Sequence, residues 1–565
     1  MSVPMAPRHT LLLACVACMA CVAPGAHAAG DSGAFVMTVG RDTIGLERFT
    51  RTAGGAEGTL LFLPTSLRFD YSLELTPDGR VRRMANAARP ASAAAGAAPT
   101  QSATLEWRAD SVIAEVKPGG QQRLASVAGS MPYLNPSMFL LELIVARAGS
   151  GYTPETGGPP IAAVPVFGVA GGQTSEAKVR YVSRDSLVLA LGAAVFQLKL
   201  DAGGHIVSGA VPAQNVRFVR VETLPASQLA VTPPDYSAPP GAPYRAESVR
   251  IPARGGFELA GTLTRPTHAG KGDARPLPCV ITITGSGPQD RDEKLTIVRG
   301  YRLFRQVADT LSRRGIAVLR LDDRGTGESG GRFAGSTSAD FSDDVVDALA
   351  WLKRQPGIDT TRLALVGHSE GGLIAPMVAL REPAIAALVL LAGPAWDGRR
   401  VLLFQNEWAI RKRLSGAAAD SAMAAARKGI DSLAVSDAWF GFFVGYDPLP
   451  VPRQLARPHV LLLQGETDRQ VSAEQVDTLA AAFRASGNRD VTVKRLAATN
   501  HLFLPDPSGD PSGYANLPSG VVPRETLGLI ADWLASRLLP AASAGRTAKG
   551  SSPPSPAPGA PPPHR

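Results

Sequence analysis

Cysteine is scarce: there are four in 565 residues, and three of them, Cys15, Cys18 and Cys21, fall in one apolar stretch near the start. If that stretch is removed, Cys279 stands alone, which excludes an intramolecular disulfide and a Cys/His metal cluster. Cys279 itself sits in "PLPCVITIT" and reads as a small buried strand residue. The formal charge of +9 comes with no Lys/Arg run and no stripe of interleaved aromatic and basic residues, so no nucleic-acid partner is expected. No glycine-rich loop runs into Gly-Lys-Ser/Thr, which removes a phosphate-loop enzyme. The early apolar stretch, Leu11 to Ala23, is stopped by Pro24 and Gly25 well short of the roughly 20 residues a membrane helix needs, so no stable membrane span is expected.

What is present at the start is Arg8 and His9, then that apolar stretch, then Ala26-His27-Ala28, a small-x-small cleavage pattern. Residues 1–28 are expected to be a signal peptide cut after Ala28, and the protein to be exported to the periplasm or the medium. Residues 29–224 carry short runs of alternating apolar and polar residues, such as "RFDYSLEL", "AKVRYVS" and "VFQLKL", separated by turn signals such as Asp78-Gly79. This period of two predicts an antiparallel β-rich domain. "MFLLELIVARA", from Met138, is the exception and has the spacing of a helix covering a sheet face. "ARPASAAAGAAPTQS", from Ala88, reads as a low-complexity loop.

Residues 225–245 are dense in proline and read as a linker. From 246 to 540 the pattern becomes an opening hairpin followed by strand, helix, strand, helix. Continuous apolar runs at "CVITIT", "IAVLRL", "LALVG", "AALVLLAG" and "HVLLLQG" are those of parallel strands buried on both faces. An α/β fold with a mostly parallel sheet follows. Ser472 to Gln475 has capping-box spacing at one helix start. Residues 541–565, rich in Pro, Ala and Ser, are expected to be a disordered tail.

Gly367-His368-Ser369-Glu370-Gly371 fits G-x-S-x-G after a buried strand and before a helix, the context in which a sharp turn lifts a serine hydroxyl out of a sheet. Ser369 is therefore the candidate nucleophile. A serine needs a base and the base an orienting acid, following it in the chain in this kind of fold. Asp468 opens a loop after "HVLLLQG", with Glu466 and Asp477 nearby as weaker alternatives. His501 opens the loop after "DVTVKRL". His205, His268, His368, His459 and His564 lack that combination of order and strand-end position. For the oxyanion, the Glu370 amide is one expected donor, and the loop "TGSGPQDRDE" offers the Ser286 or Gly287 amide as the other. "DDRGTGES", Asp322 to Ser329, reads as a structural turn that draws Asp323 and Arg324 into one local network.

"GSGPQDRDE", "GIAVLRLDDRGTGESGG", "GHSEGGLIAPMVA", "LLAGPA", "WFGFFVGYDPLP", "LLLQGETDRQVSAE" and "NHLF" together resemble a family of bacterial exported α/β-hydrolases. These are serine-aminopeptidase-type and dienelactone-hydrolase-like serine hydrolases, usually described as esterases. The resemblance covers about Ser248 to Leu538 and leaves the β domain without support. It implies an α/β-hydrolase fold with a helical cap, and puts the family's nucleophile, acid and histidine on Ser369, Asp468 and His501. Where relatives commonly have Asn-Gly-Glu-Lys-Asp, this chain has Gln464-Gly465-Glu466-Thr467-Asp468, which spares the acid. The insertion 396–455, rich in aromatics, is expected to form the cap, most of its rings packing within it. The function expected is hydrolysis of a small-molecule ester or acylated substrate through an acyl-enzyme, without metal or cofactor. An aminopeptidase or amidase with the same triad, and an envelope-binding protein acting through the β domain, are the alternatives.

Overall fold

The computed structural model describes residues 32–540, apart from 41, 53, 64–66, 92, 94–95, 118, 150–160, 193, 230–233 and 268–274. The expected signal peptide, the expected tail, His268 and His564 lie outside the described residues.

From Ser32 to Val221 the strands form one fifteen-stranded sheet. Pairing is antiparallel except where Met131–Tyr133 runs parallel to Ala162–Gly168. The first strand, Ser32–Val39, lies beside the last, Val216–Val221. The rest extend outward from this pair on both sides. Alternation decides which side chains go in: Ala177, Val179 and Tyr181 are buried while the residues between them are exposed. The sheet curls until its distant parts meet, with Thr174 Oγ1 donating to Ser126 Oγ at 3.2 Å and the Trp107 and Phe167 rings edge to face at 5.8 Å.

Helix Met138–Ala148 lies inside this curl, every residue from Met138 to Val145 buried. The sequence pattern suggests a helix on one sheet face, but its apolar residues go all the way round, and such a helix belongs in an interior. At 11 residues it is too short to persist without tertiary support. Glu47 holds its start. Its carboxylate accepts from the Ser137 hydroxyl at 2.5 Å, the Met138 and Phe139 amides at 2.7 and 3.1 Å, and the Tyr71 hydroxyl at 2.8 Å. Burial raises the Glu47 pKa against the lowering effect of those donors. Further along, Glu142 pairs with Arg51 and Arg220 and accepts the Ile206 amide at 2.7 Å.

The loop expected from Ala88 is narrower than its composition suggests. Strand Val81–Pro90 pairs Ala88 with Gln101 of the next strand. Arg89 fixes the intervening turn by donating to Asp70 at 2.5 Å and to the Ala97 carbonyl at 2.9 Å. The described parts of the proline-rich segment are docked. Leu229 is buried with Leu224, Ala34 and Leu61. Further on, the Arg291 guanidinium sits 4.1 Å from the Tyr236 ring centre, and Arg305 donates to the Asp235 and Ser237 carbonyls.

The second domain has eight strands: β1 (Tyr244–Ala253), β2 (Phe257–Pro266), β3 (Leu277–Ile283), β4 (Ala317–Leu321), β5 (Ile358–His368), β6 (Ile385–Leu391), β7 (His459–Gly465) and β8 (Val491–Leu496). Their order is β1-β2-β4-β3-β5-β6-β7-β8, with β1 and β2 an antiparallel hairpin, β2 antiparallel to β4, and the strands from β4 to β8 along the row parallel to one another. Phe304, Val307 and Leu311 cover one face with Ile530 and Leu534. Val345, Leu349, Leu373, Leu479 and Phe483 cover the other. Burial on both faces is why the central strands read as unbroken apolar runs. This is the α/β-hydrolase arrangement with a large antiparallel domain ahead of it.

Helices Gly398–Arg411, Gly416–Ser436 and Ala438–Gly445 form the insertion between β6 and β7. Its rings pack largely on one another: Trp439 stacks on Phe443 at 5.2 Å and Phe442 on Tyr446 at 5.3 Å. The capping box expected at Ser472 does not form. Helix Gln475–Ala485 begins three residues later, and Gln475 Oε1 instead accepts the Ala395 and Trp396 amides at 3.0 Å, fixing the start of the insertion. Among the described residues, no helix is long and apolar enough to cross a membrane.

Candidate active site

β5 delivers His368 to the edge of the sheet, Ser369 takes φ 52° and ψ −116°, and a helix starts at Glu370. Positive φ is a strained state for serine, and cradling on both sides holds it. A Cβ on Gly371 would stand 2.1 Å from the Ile283 carbonyl oxygen, and one on Gly367 would stand 2.0 Å from the Gly371 oxygen. Both flanking glycines are required because backbone passes where a side chain would be.

Asp468, 1% exposed, lies in the loop after β7, and His501, 4% exposed, in the loop after β8. Asp468 Oδ2 accepts from His501 Nδ1 at 2.7 Å and from Gln464 Nε2 at 3.0 Å. Its Oδ1 accepts the Gln470 and Val471 amides at 2.7 and 2.9 Å. Four donors compensate a buried carboxylate. Of the other acids near Asp468, Glu466 is exposed and Asp477 pairs with Arg495. Gln464 is thus part of the acid's support. Gln470 also ties this loop to Tyr514, whose neighbour Ala515 packs against the core of the β domain.

Sequence reasoning missed a brace across the site. His368 Nδ1 meets Glu293 Oε1 at 2.5 Å, and its Nε2 meets the His501 carbonyl oxygen at 2.9 Å. Glu293 Oε1 also accepts the Gly285 amide at 3.3 Å. One buried pair therefore ties together the loop after β3, the serine turn and the His501 loop. Acceptors on both ring nitrogens ask His368 to carry two protons. Burial opposes that charge, but the Glu293 carboxylate, the His501 carbonyl and Asp468 raise the His368 pKa above its ordinary 6.5.

A raised base contributes stability that is fully present below the unfolded-state value and is lost as pH climbs through the raised folded value. The melting temperature of wild type should therefore exceed that of His368→Gln by more at pH 6 than at pH 9. Scanning calorimetry of both across that range checks this, and a constant difference would contradict a charged His368.

The loop after β3 runs against the serine. A Cβ on Gly285 would lie 3.3 Å from Ser369 Cβ, while Gly287 has φ 90° and open space around it. Glu370, Gly285 and Gly287 line one small cavity. Ser286 offers its carbonyl to Gln289 Nε2 at 3.3 Å. Asp323 pins the loop by accepting from Thr284 Oγ1 at 2.8 Å and the Gln289 amide at 2.9 Å. Its pKa is raised well above the ordinary range by burial, with the Glu370 and Asp322 charges adding to the effect.

Asp323 and Arg324 do not share the single network expected of them. Arg324 turns away to Asp344 at 2.7 Å. Asp322 carries the turn instead, accepting Arg291 side-on at 3.0 and 2.7 Å and the Glu328 amide at 2.9 Å. Glu370 itself reaches back under the cap, its Oε1 accepting from Ser338 Oγ at 2.6 Å and Trp439 Nε1 at 2.9 Å. Its Oε2 is buried with no hydrogen-bond partner among the described residues.

Comparison with known proteins adds to this geometry. A family model described as serine aminopeptidase S33 matches residues 298–433. Esterase EstD of Thermotoga maritima is 25% identical over 283 residues, covering 49% of this chain and 65% of that protein. Dipeptidyl aminopeptidase BIII of Pseudoxanthomonas mexicana is 27% identical over 266 residues, covering 45% of this chain and 35% of that one. The chain thus spans just under two thirds of the first curated relative and about a third of the second. Among solved structures, a Pyrococcus furiosus esterase aligns with 19% identity and a TM-score of 0.37, covering 54% of this chain and 97% of that one.

Proposed function

We propose that this chain, which is similar to serine hydrolases, is an exported carboxylic-ester hydrolase working through an acyl-enzyme. The observation that carries the proposal is the 2.7 Å bond from buried Asp468 to His501 Nδ1, in a site whose serine turn is held open by two glycines. With Nδ1 donating to Asp468, the other imidazole nitrogen is left as the base. Ser369 Oγ attacks the ester carbonyl carbon while His501 Nε2 takes its proton. Collapse of the tetrahedral intermediate breaks the carbon–oxygen bond, and His501 returns the proton to the departing alkoxide. Water then repeats the sequence on the acyl-serine, releasing the acid. Asp468 keeps the ring oriented and stabilises its positive charge throughout.

The oxyanion is assigned to the Glu370 amide with the Ser286 or Gly287 amide. Losing one such donor raises a barrier by about 3 kcal/mol. Export rests on the order of Arg8 and His9, the apolar stretch Leu11 to Ala23 and Ala26-His27-Ala28.

The second reading, cleavage at a free amino terminus, is favoured by one observation: Glu370 Oε2, buried without a hydrogen-bond partner among the described residues, is an acceptor suited to an ammonium. Steady-state rates separate the two. The esterase reading expects kcat/KM for p-nitrophenyl acetate or butyrate to exceed that for aminoacyl-p-nitroanilides by at least 100-fold. The reverse order would transfer the assignment to the aminopeptidase.

A further inference from the structure

The interior of the curled β sheet is not filled by its helix alone. A cavity of about 410 Å³ remains beside the start of helix Met138–Ala148. Met37, Ile44, Met138, Val166, Phe196 and Phe218 form its buried wall. The space exists because neighbouring strands present little bulk at one end, where Gly168, Ser175 and Ala194 face it. No charged side chain is among its described lining residues, and the polar groups there are few: Tyr133, Asn135, Ser175 and Gln214. Asn135 and Gln214 are exposed, and the Tyr133 hydroxyl donates to Asn135 Oδ1 at 3.2 Å.

We propose that this cavity binds the tail of a single-chain aliphatic amphiphile, with its polar head among Asn135 and Gln214. Three physical points select that ligand. Walls of this kind hydrate poorly and gain from contact with methylene groups. At about 30 Å³ per water-sized group, the volume suits a chain on the order of a dozen carbons. The absence of a charged partner inside admits an uncharged tail and leaves a polar head to the mouth. Small β-barrels that hold one apolar ligand use the same device, an interior too wide for side chains alone to fill. None of the cavity's lining residues belongs to the serine site, so this inference stands apart from the esterase reading and fails separately from it.

The test uses the full-length mature protein carrying Ser369→Ala, titrated calorimetrically with dodecanoate and with hexanoate. Dodecanoate should bind at one site per chain, and hexanoate at least 10-fold more weakly. Two substitutions that fill the space, Ala194→Phe and Ser175→Leu, should each weaken dodecanoate at least 10-fold. In the background with Ser369 intact, both should leave p-nitrophenyl acetate turnover unchanged, which also reports that they fold. Absence of saturable binding would overturn the proposal. So would undiminished binding in a folded filled variant, or loss of binding when wild-type protein is first blocked at its serine with a fluorophosphonate, which would put the chain under the cap instead.

Discussion

Asp468→Asn is expected to lower kcat for a short acyl ester about 10,000-fold while the protein remains folded. An asparagine can still accept the Gln470 and Val471 amides through its carbonyl oxygen, because both now bond to Oδ1. That leaves its NH2 where Oδ2 faces His501 Nδ1 and Gln464 Nε2. A donor there favours the His501 tautomer protonated on the other nitrogen, which cannot take the Ser369 proton. KM should change little, because Asp468 does not touch substrate in this scheme. Steady-state kinetics with p-nitrophenyl butyrate, alongside a thermal melt, measures both quantities. A loss under tenfold would remove Asp468 from the mechanism and reopen Glu466 and Asp477.

The second large effect falls far from the chemistry. Glu47→Ala should destabilise the β domain by about 3–5 kcal/mol, since it strips the acceptor from two amides and two hydroxyls in a buried place. Each buried donor left unsatisfied costs roughly 1–3 kcal/mol, with partial relaxation between neighbours. For a domain of this size that corresponds to a fall in melting temperature of roughly 10 °C or somewhat more. Glu47→Gln should recover part of the loss, because its one oxygen still accepts from some of these donors. Calorimetric melts of the three proteins test this, and a change below about 1 kcal/mol in Glu47→Ala would show that the helix start is held by packing alone.

The same two regions show what could be read in the sequence. Ser369, Asp468 and His501 each follow a run of strand residues at a break in pattern, so their common edge could be anticipated from chain order and strand direction. Buried parallel strands announce themselves through unbroken apolar runs, and β3 and β5–β7 do so. The Glu293–His368 brace could not be anticipated in this way. Its partners are 75 residues apart, and proximity to the serine made His368 look like a neighbour without a task. The acids "DRDE" after β3 were the available signal, since a loop that lines an active site seldom buries an acid without a partner.

In the β domain, period-two alternation identified strands but carried no information on curl, which depends on twist summed over many strands. Met138–Ala148 was recognisable as a helix, yet only the curl reveals that all its faces are covered. The expected capping box at Ser472 failed for a similar reason. Gln475 was claimed by the Ala395 and Trp396 amides, a tertiary demand that local spacing cannot express.

The most direct test of the central claim is covalent. Wild-type protein and Ser369→Ala are treated with a fluorophosphonate, the modified residue is located by peptide mass spectrometry, and p-nitrophenyl butyrate turnover is followed in the same samples. The account predicts one label per chain on Ser369, loss of turnover in proportion to labelling, and neither label nor turnover in the variant. A label at another residue, or turnover that survives in a folded Ser369→Ala protein, would contradict it.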